Sequence, residues 1–223
     1  MTDKYLKTQE KKMQHRTRIK ICGLTAPKEV SYLVKNRVDY GGMVLFFPKS
    51  KRNVSLEQAE KILREFPKDL ISVAVTVSPT FEQIRMITEL GFDRIQIHGS
   101  YPEELPEDCP PLIKAFNMSD LGSLPEYQAD PLTRGFVFDA ALPGSGVPYD
   151  LSVLPPLPKE KPVLLAGGMD PERVGAAICA LRPYGVDVSS GVEYPDRPGK
   201  DPDRIRAFAE AVRRADREHL RNP

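Results

Sequence analysis

The sequence is poor in the side chains that build disulfide and metal sites. Its three cysteines, Cys22, Cys109 and Cys179, are odd in number and include no Cys-x-x-Cys pair. This usage argues against a disulfide scaffold and favours a reduced, intracellular protein. The chain also has only three histidines, and no two of them have the spacing of metal ligands. We therefore expect no zinc site.

Long apolar segments and an excess of charge of one sign are also missing. No apolar run is long enough to cross a bilayer and the first residues do not resemble a secretion signal, so we expect no membrane span and a cytoplasmic location. The formal net charge is +1. Neither nucleic acid nor a membrane surface is therefore expected as the main partner, and an anionic ligand would have to be held by local groups.

What the sequence does contain is a regular alternation of short apolar segments and amphipathic stretches. A chain of 223 residues suits a single α/β domain. Residues 1–17 are polar and lack a sustained helical stripe, which predicts a mobile arm. We expect the folded domain over residues 18–215 and a polar tail over residues 216–223.

Eight apolar segments have the length of strands. They show little alternation of polar and apolar residues, which is typical of strands that are covered on both faces. Strands that alternate with helices predict a parallel sheet, and eight such units close into a (β/α)8 barrel, with an open doubly wound sheet as the alternative. The predicted strands are Ile19–Cys22, Gly41–Phe47, Leu70–Val77, Arg94–Gly99, Pro111–Phe116, Gly135–Asp139, Pro162–Ala166 and Gly185–Ser189.

Helix starts follow most of these strands. Short polar side chains or an X-Pro pair precede the apolar stripes, and both features are typical of helix N-termini. We expect Phe81 to face the core and Cys179 to be buried inside its helix. The predicted helix starts are Thr25, Ser55 in a capping box with Gln58, Ser78-Pro79, Asp170-Pro171 and Asp201-Pro202.

Two reactive side chains stand at the ends of predicted strands, where barrel enzymes keep their chemistry. Cys22 precedes a predicted helix, whose dipole would favour a thiolate, although an inert buried thiol is the alternative. Asp139 ends an aromatic strand, where a carboxylate is costly unless it is paired or functional. Its alternative role is to cap the next loop.

The loops after the last two strands are rich in glycine and serine. Gly167-Gly168 and Ser189-Ser190-Gly191 allow backbone N–H groups to approach an anion, which favours a phosphate site over simple tight turns. Arg52 lies in a basic loop and can either be solvated or clamp a carboxylate through two nitrogens. His98 fits a pocket position and a core position equally well.

These segments together resemble the phosphoribosylanthranilate isomerase family of tryptophan biosynthesis. The resemblance covers residues 18–215, and its first motif and its long motif at the eighth strand are specific. The matching segments are Lys20–Thr25, Phe47–Ser50 with Arg52, Gln96–Gly99, Phe138-Asp139, Leu165–Gly168, Gly185–Glu193 and Pro198–Asp201.

The resemblance implies a (β/α)8 barrel that performs an Amadori rearrangement, an isomerisation of the intramolecular oxidoreductase type, without metal or organic cofactor. It implies that Asp139 is the general acid that opens the furanose ring and that Cys22 is the general base at C2. Arg52 would face the anthranilate end of the substrate, and the two glycine-bearing loops would hold its phosphate. His98 and Asp187 match further substrate-binding positions, and the family includes monomers and homodimers.

Two other functions stay open at this point. A related isomerase of histidine biosynthesis, which acts on an aminoimidazole-carboxamide ribotide, performs the same chemistry but has an aspartate where this chain has Cys22. A barrel that binds a phosphosugar without turnover is the second alternative. The loop at Pro143–Gly146 favours it, because that loop is shorter than in the family and follows Asp139.

Overall fold

A computed structural model describes residues 16–139 and 156–221, and within them eight parallel strands form a closed barrel in sequence order. Strand β1 pairs with both β2 and β8, which closes the sheet. The predicted (β/α)8 barrel is confirmed, and the open doubly wound sheet is wrong. The strands are β1 Arg18–Cys22, β2 Tyr40–Val44, β3 Ile71–Val77, β4 Arg94–His98, β5 Leu112–Asn117, β6 Thr133–Asp139, β7 Val163–Ala166 and β8 Gly185–Val188.

Helices cover the outside of the barrel. Residues 99–111, between β4 and β5, contain no helix, in keeping with their content of proline. Two 3-10 segments, Met118–Ser123 and Ser190–Val192, follow β5 and β8. The α-helices of the described residues are α1 Lys28–Lys35, α2 Leu56–Leu63, α3 Phe81–Glu89, α4 Leu124–Ala129, α5 Val174–Leu181 and α6 Pro202–Arg221.

The barrel has an outer and an inner layer of buried side chains. Successive side chains of a strand point to opposite faces, so Ile19 and Ile21 of β1 pack outward with the core beneath the helices. Burying each such side chain contributes about 1.5–3 kcal/mol. The inner layer is a smaller cluster that includes Val73, Val137 and Leu164, and Cys22 packs against it. Polar side chains near the carboxyl ends of the strands therefore face into the barrel mouth.

Three predicted helix starts are wrong, and one of them is that of α5, which begins at Val174 after Arg173 and not at Asp170-Pro171. Helix α1 has Pro27 at its cap position and no side-chain cap, so Thr25 does not cap it. Glu29 instead accepts hydrogen bonds from the backbone N–H groups of Thr25 and Ala26 at 2.7 and 3.1 Å. Helix α3 is capped by Thr80, two residues after Ser78, in a reciprocal capping box.

Other local predictions have a mixed outcome. The Ser55 hydroxyl accepts the Gln58 backbone N–H as predicted, but the Gln58 side chain donates to the Thr25 carbonyl, so the box is not reciprocal. Phe81 is 37% exposed and Cys179 is also exposed, which corrects both core predictions. Both positions lie on the solvent side of their helices, because the inner side is filled by neighbours such as Ile84.

The residue before β1 is joined to helix α6. Thr17 is buried, and its hydroxyl donates to Asp216 of α6 at 2.6 Å. Arg16 forms an ion pair with Asp39. Thr17 and Asp216 thus belong to the folded barrel and not to the expected arm and tail. The rest of that arm, residues 1–15, and the loop at Pro143–Gly146 lie outside the described residues.

Candidate active site

A pocket of about 270 Å³ opens at the carboxyl ends of the strands. Among the described residues it gathers side chains and glycines from six strands and the loops that follow them. All of the site residues selected from the sequence line it except Gly191. The lining residues are Cys22, Arg52, Gln96, His98, Val137, Asp139, Ala166, Gly167, Gly168, Met169, Asp187, Val188, Ser189 and Ser190.

Cys22 is the last residue of β1 and lies beside Gly42 of β2. The Ser189 hydroxyl donates to the Cys22 carbonyl at 2.9 Å, which ties the first strand to the loop after the eighth. The N–H groups of Gly23 and Leu24 both donate to the Gly42 carbonyl at 2.9 Å. These donors are therefore occupied, and α1 begins only at Lys28. The expected helix N-terminus at the thiol is not what surrounds Cys22.

A buried lysine that was not among the predicted site residues, Lys20, places a positive charge near the thiol of Cys22. Lys20 is fully buried, and the position that a β-carbon would take at Gly42 lies 3.3 Å from both Lys20 Nζ and Cys22 Sγ. Lys20 Nζ also lies 2.8 Å from Asp187 Oδ2. Burial opposes the ammonium charge, but attraction to Asp187 and Cys22 outweighs it and raises the pKa of Lys20.

A second buried lysine, Lys200, lies beside the loop after β8. Lys200 Nζ donates to the Ser189 carbonyl and to Glu193, both at 3.1 Å. Its backbone N–H donates to Glu29 at 2.7 Å, which fixes the turn before α6. Burial lowers the pKa of Lys200, whereas Glu193 and Cys22 favour its charged form. A lysine in a polar loop carries no sequence signal of burial, so only the tertiary contacts identify it.

Arg52 and Glu193 form a two-pronged ion pair at the rim of the pocket. Arg52 Nε and Nη2 donate to the two carboxylate oxygens of Glu193 at 2.5 and 3.2 Å. Partial burial opposes the charge of Glu193, but hydrogen bonds from Arg52 and Lys51 and the charge of Lys200 lower its pKa to about 2. The fork of Arg52 is thus held in the geometry that recognises a carboxylate.

His98 and Gln96 lie on the inner face of β4. His98 Nε2 and Gln96 Nε2 are 2.9 Å apart, and Gln96 Nε2 can donate only to an unprotonated His98 nitrogen. Burial, together with the positive charges of Lys20 and Lys114, lowers the pKa of His98 to about 4. His98 is therefore a neutral pocket residue at neutral pH, and Gln96 is a lining residue that the sequence analysis missed.

The two glycine-bearing loops meet at the open end of the pocket. Gly167 and Gly168 have φ values of 96° and 60°, a region that favours glycine. No heavy atom lies within 4 Å of the β-carbon position at Gly168, which leaves room for a ligand. A β-carbon at Gly191 would lie 2.0 Å from the Met169 carbonyl oxygen. Gly191 therefore allows the two loops to pack together and does not line the pocket.

Asp139 completes the site from the opposite wall. It ends β6 and is in register with Ala166 of β7 and Asn117 of β5.

Within the described residues no group of histidine, cysteine and acidic side chains is arranged to hold a metal ion. No described helix is long and apolar enough to cross a membrane. Cys22, His98 and Asp139 are side chains that can transfer protons, and Arg52 and the glycine-bearing loops can bind an anion.

The pocket lies in a part of the chain that matches a known family. The family model described as N-(5'-phosphoribosyl)anthranilate isomerase matches residues 19–211. This chain belongs to the phosphoribosylanthranilate isomerase family. Residues 19–211 include every pocket-lining residue, so the family match covers the whole of the candidate site.

Bacterial phosphoribosylanthranilate isomerases are similar over nearly their full length. The enzyme of Streptococcus mutans is 40% identical over 200 residues, covering 89% of this chain and 100% of that protein. The enzyme of Streptococcus pneumoniae strain Hungary19A-6 is 39% identical over 199 residues, covering 88% and 96%. The chain thus spans the length of its curated relatives, with residues to spare.

Solved phosphoribosylanthranilate isomerases have the same fold. The crystal structure of the Thermotoga maritima enzyme aligns with a TM-score of 0.74 at 33% identity, covering 88% of this chain and 98% of the other. Another structure of the family contains reduced 1-(o-carboxyphenylamino)-1-deoxyribulose 5-phosphate and aligns with a TM-score of 0.72 at 32% identity, with the same coverage. That protein therefore binds a phosphosugar that carries a carboxyphenyl group.

Proposed function

We propose that this protein is an N-(5'-phosphoribosyl)anthranilate isomerase of tryptophan biosynthesis. Its substrate is N-(5'-phosphoribosyl)anthranilate, and its product is 1-(2-carboxyphenylamino)-1-deoxy-D-ribulose 5-phosphate. The observation that carries the proposal is that the family model spans residues 19–211 and that Cys22 and Asp139 open on one pocket inside that span. Because Cys22 ends β1, the thiol-bearing family is favoured over the related histidine-pathway isomerase.

In this proposal Asp139 and Cys22 perform the two steps that begin the rearrangement. The Asp139 carboxyl protonates the furanose ring oxygen, and the C1–O bond breaks to give a ring-opened iminium ion. The Cys22 thiolate then removes the proton from C2, and the electron pair forms an enolamine. These steps open the ring and move protons between the substrate and two side chains, and because the product is an isomer of the substrate, no external oxidant or reductant is consumed.

Two ammonium groups support Cys22 as the base. A negative charge on Cys22 favours the protonated forms of both Lys20 and Lys200. Lys20 Nζ and Cys22 Sγ both lie 3.3 Å from the β-carbon position at Gly42, so the Lys20 ammonium group is close to the sulfur. We assign to these lysines the neutralisation of the thiolate, a role that the sequence suggested for a helix N-terminus.

The binding groups orient the substrate across the barrel mouth. Gly167, Gly168, Ser189 and Ser190 line one end of the pocket, where backbone N–H groups and hydroxyls suit a phosphate. Arg52 lines the pocket at its rim, where it suits the anthranilate carboxylate. A substrate held at both ends places its C1–C2 bond between Cys22 and Asp139.

The proposal also covers the ligand, the cellular location and the oligomeric state of the protein. We propose a small-molecule substrate, no organic cofactor, and a cytoplasmic enzyme that acts as a monomer or a homodimer. A solved Thermotoga maritima relative is described as dimeric, and engineered monomers of it exist. Sedimentation of the full chain at several concentrations would distinguish the two states for this protein.

The test is the loss of substrate fluorescence with freshly generated phosphoribosylanthranilate. Wild type should turn over, and Cys22→Ala and Asp139→Asn should each lose on the order of a hundredfold or more in kcat/KM. Cys179→Ala is the matched control, since Cys179 is exposed and outside the pocket. A folded wild type that binds a product analogue without turnover would instead establish the phosphosugar-binding barrel.

A further inference from the structure

The floor of the pocket contains two hydrogen-bond acceptors that nothing in the described residues satisfies. Asp187 Oδ1 and Gln96 Oε1 are both buried and without a partner, and both residues line the pocket. Buried acceptors are nearly always paired, because the lost hydration is not otherwise replaced. Two open acceptors facing one pocket therefore point to a ligand that supplies hydrogen-bond donors, as the hydroxyl groups of a sugar do.

Asp187 has the better-defined geometry of the two. It is buried at 6% exposure, and Lys20 Nζ occupies its Oδ2 at 2.8 Å, which leaves Oδ1 for the ligand. Asp187 of β8 is in register with Lys20 of β1, and Cys22 follows two residues further along the same inward face. Asp187 thus lies one layer beneath the thiol, on the neighbouring strand.

The chemistry of the proposed reaction requires one more acceptor than Cys22 and Asp139 provide. When the enolamine has formed, Cys22 is a thiol and Asp139 has given its proton to the ring oxygen. Conversion to the ketone then needs a base at the C2 hydroxyl and an acid at C1. Asp139 is placed for the ring oxygen, so the C2 hydroxyl needs a separate partner.

We propose that Asp187 is a third catalytic residue, which accepts the proton of the C2 hydroxyl as the enolamine becomes the ketone. The O–H bond breaks, its electron pair forms the C2=O bond, and the C1=C2 pair takes a proton from the Cys22 thiol. Cys22 returns to a thiolate, and Asp187 becomes a carboxylic acid. After the product leaves, that proton passes through water to Asp139, which restores the starting state.

The surroundings of Asp187 suit this role. Burial raises the pKa of its carboxyl, although the charges of Lys20 and Lys200 favour the carboxylate. A carboxylate with a raised pKa is a stronger base than an exposed one, and Lys20 keeps it ionised until the substrate hydroxyl arrives. The inference rests on the proposed isomerase function and assigns the step that follows the action of Cys22.

The test separates the C2 step from the ketone step in Asp187→Asn. Asparagine keeps the shape of the side chain and cannot accept the proton. In D2O we expect turnover to fall by on the order of a hundredfold or more. Substrate recovered from the same reaction should gain one deuterium at C2, at a rate within about tenfold of wild-type turnover. The exchange should vanish in Cys22→Ala, which shows that Cys22 causes it.

Three results would overturn the assignment or its basis. If the Asp187→Asn variant keeps turnover within about threefold of wild type, Asp187 is not a catalytic residue. Turnover and exchange that fall together make Asp187 a binding group that acts before the ketone step. A wild type without turnover refutes the isomerase function itself. If Asp187→Asn fails to fold, Asp187→Ser carries the same comparison, because its shorter side chain leaves room for water beside Lys20 and keeps the Lys20 charge near Cys22.

Discussion

Arg52 holds both carboxylate oxygens of Glu193 through two nitrogens of its guanidinium group. A substrate carboxylate that binds Arg52 must therefore share the guanidinium with Glu193 or replace it. Because Lys51 and Lys200 also contact Glu193, the displaced carboxylate keeps two cationic partners. Arg52 can thus move from Glu193 to a substrate carboxylate while the Glu193 carboxylate keeps its ion pairs with Lys51 and Lys200.

This relationship predicts a binding defect for Arg52→Ala. We expect KM to rise by about tenfold or more with a smaller change in kcat, because the carboxylate contact is present in both the ground state and the transition state. Steady-state kinetics with phosphoribosylanthranilate would measure both constants. Lys51→Ala is the matched control, since the Lys51 side chain is 73% exposed, and it should change KM by less than about twofold. An unchanged KM in Arg52→Ala would remove Arg52 from the substrate site.

The buried pair of Lys20 and Asp187 predicts a large loss of stability in Lys20→Met. Removing one partner leaves an uncompensated buried carboxylate, which costs roughly 3–5 kcal/mol of the free energy of unfolding. Urea denaturation would measure the change. Lys61→Met is the control, because Lys61 pairs with Glu57 on the exposed face of α2, and it should cost less than about 0.5 kcal/mol. Similar losses in the two variants would contradict the buried pair.

The lowered pKa of His98, about 4, predicts a pH-dependent contribution to stability. His98 is neutral in the folded state, whereas the unfolded chain binds its proton near pH 6.5. The stability from this group is therefore present above about pH 6.5 and is lost as the pH falls towards 4, by about 3 kcal/mol.

Histidine titration by NMR would test this directly. The chain has three histidines, so the resonance lost in His98→Gln identifies the group. That resonance should titrate near pH 4, and the unfolding free energy of His98→Gln should fall less between pH 6.5 and 4 than that of wild type. A titration near 6.5 would mean that His98 is solvated and not buried beside Lys20.

A pair of glycine substitutions tests the packing of the two glycine-bearing loops that we propose to hold the substrate phosphate. Gly191→Ala would bring a methyl group to within 2.0 Å of the Met169 carbonyl oxygen, so the loops after β7 and β8 must separate. We expect weaker binding of inorganic phosphate and a loss of on the order of 1–3 kcal/mol of stability. Gly175→Ala lies in α5 with no atom within 4 Å of the new methyl group. It should stabilise the protein by about 0.5–1 kcal/mol.

Thermal unfolding and phosphate titration of the two glycine variants would measure these effects. Phosphate binding in Gly191→Ala equal to that in wild type would show that the loops need not pack together to form the site. Destabilisation by Gly175→Ala would contradict the open space beside α5.

The eight-strand barrel and most of its pocket were predictable from the sequence. Apolar segments of strand length that alternate with helices predict a parallel sheet covered on both faces, and this pattern can be read without knowing any long-range contact. Once eight such strands close, their carboxyl ends meet at one rim. The side chains that end β1 and β6, Cys22 and Asp139, must therefore face the same mouth.

The electrostatics of the site were decided only by tertiary structure. Lys20 meets Asp187, and Arg52 meets Glu193, across stretches of chain that hydrophobic periodicity does not connect. The sequence predicts a helix dipole beside Cys22, but α1 begins only at Lys28, and Glu29 accepts the backbone N–H groups of Thr25 and Ala26. Periodicity records which side of a strand is buried. It does not record which buried charges face each other when the barrel closes, because that depends on the register between β1 and β8.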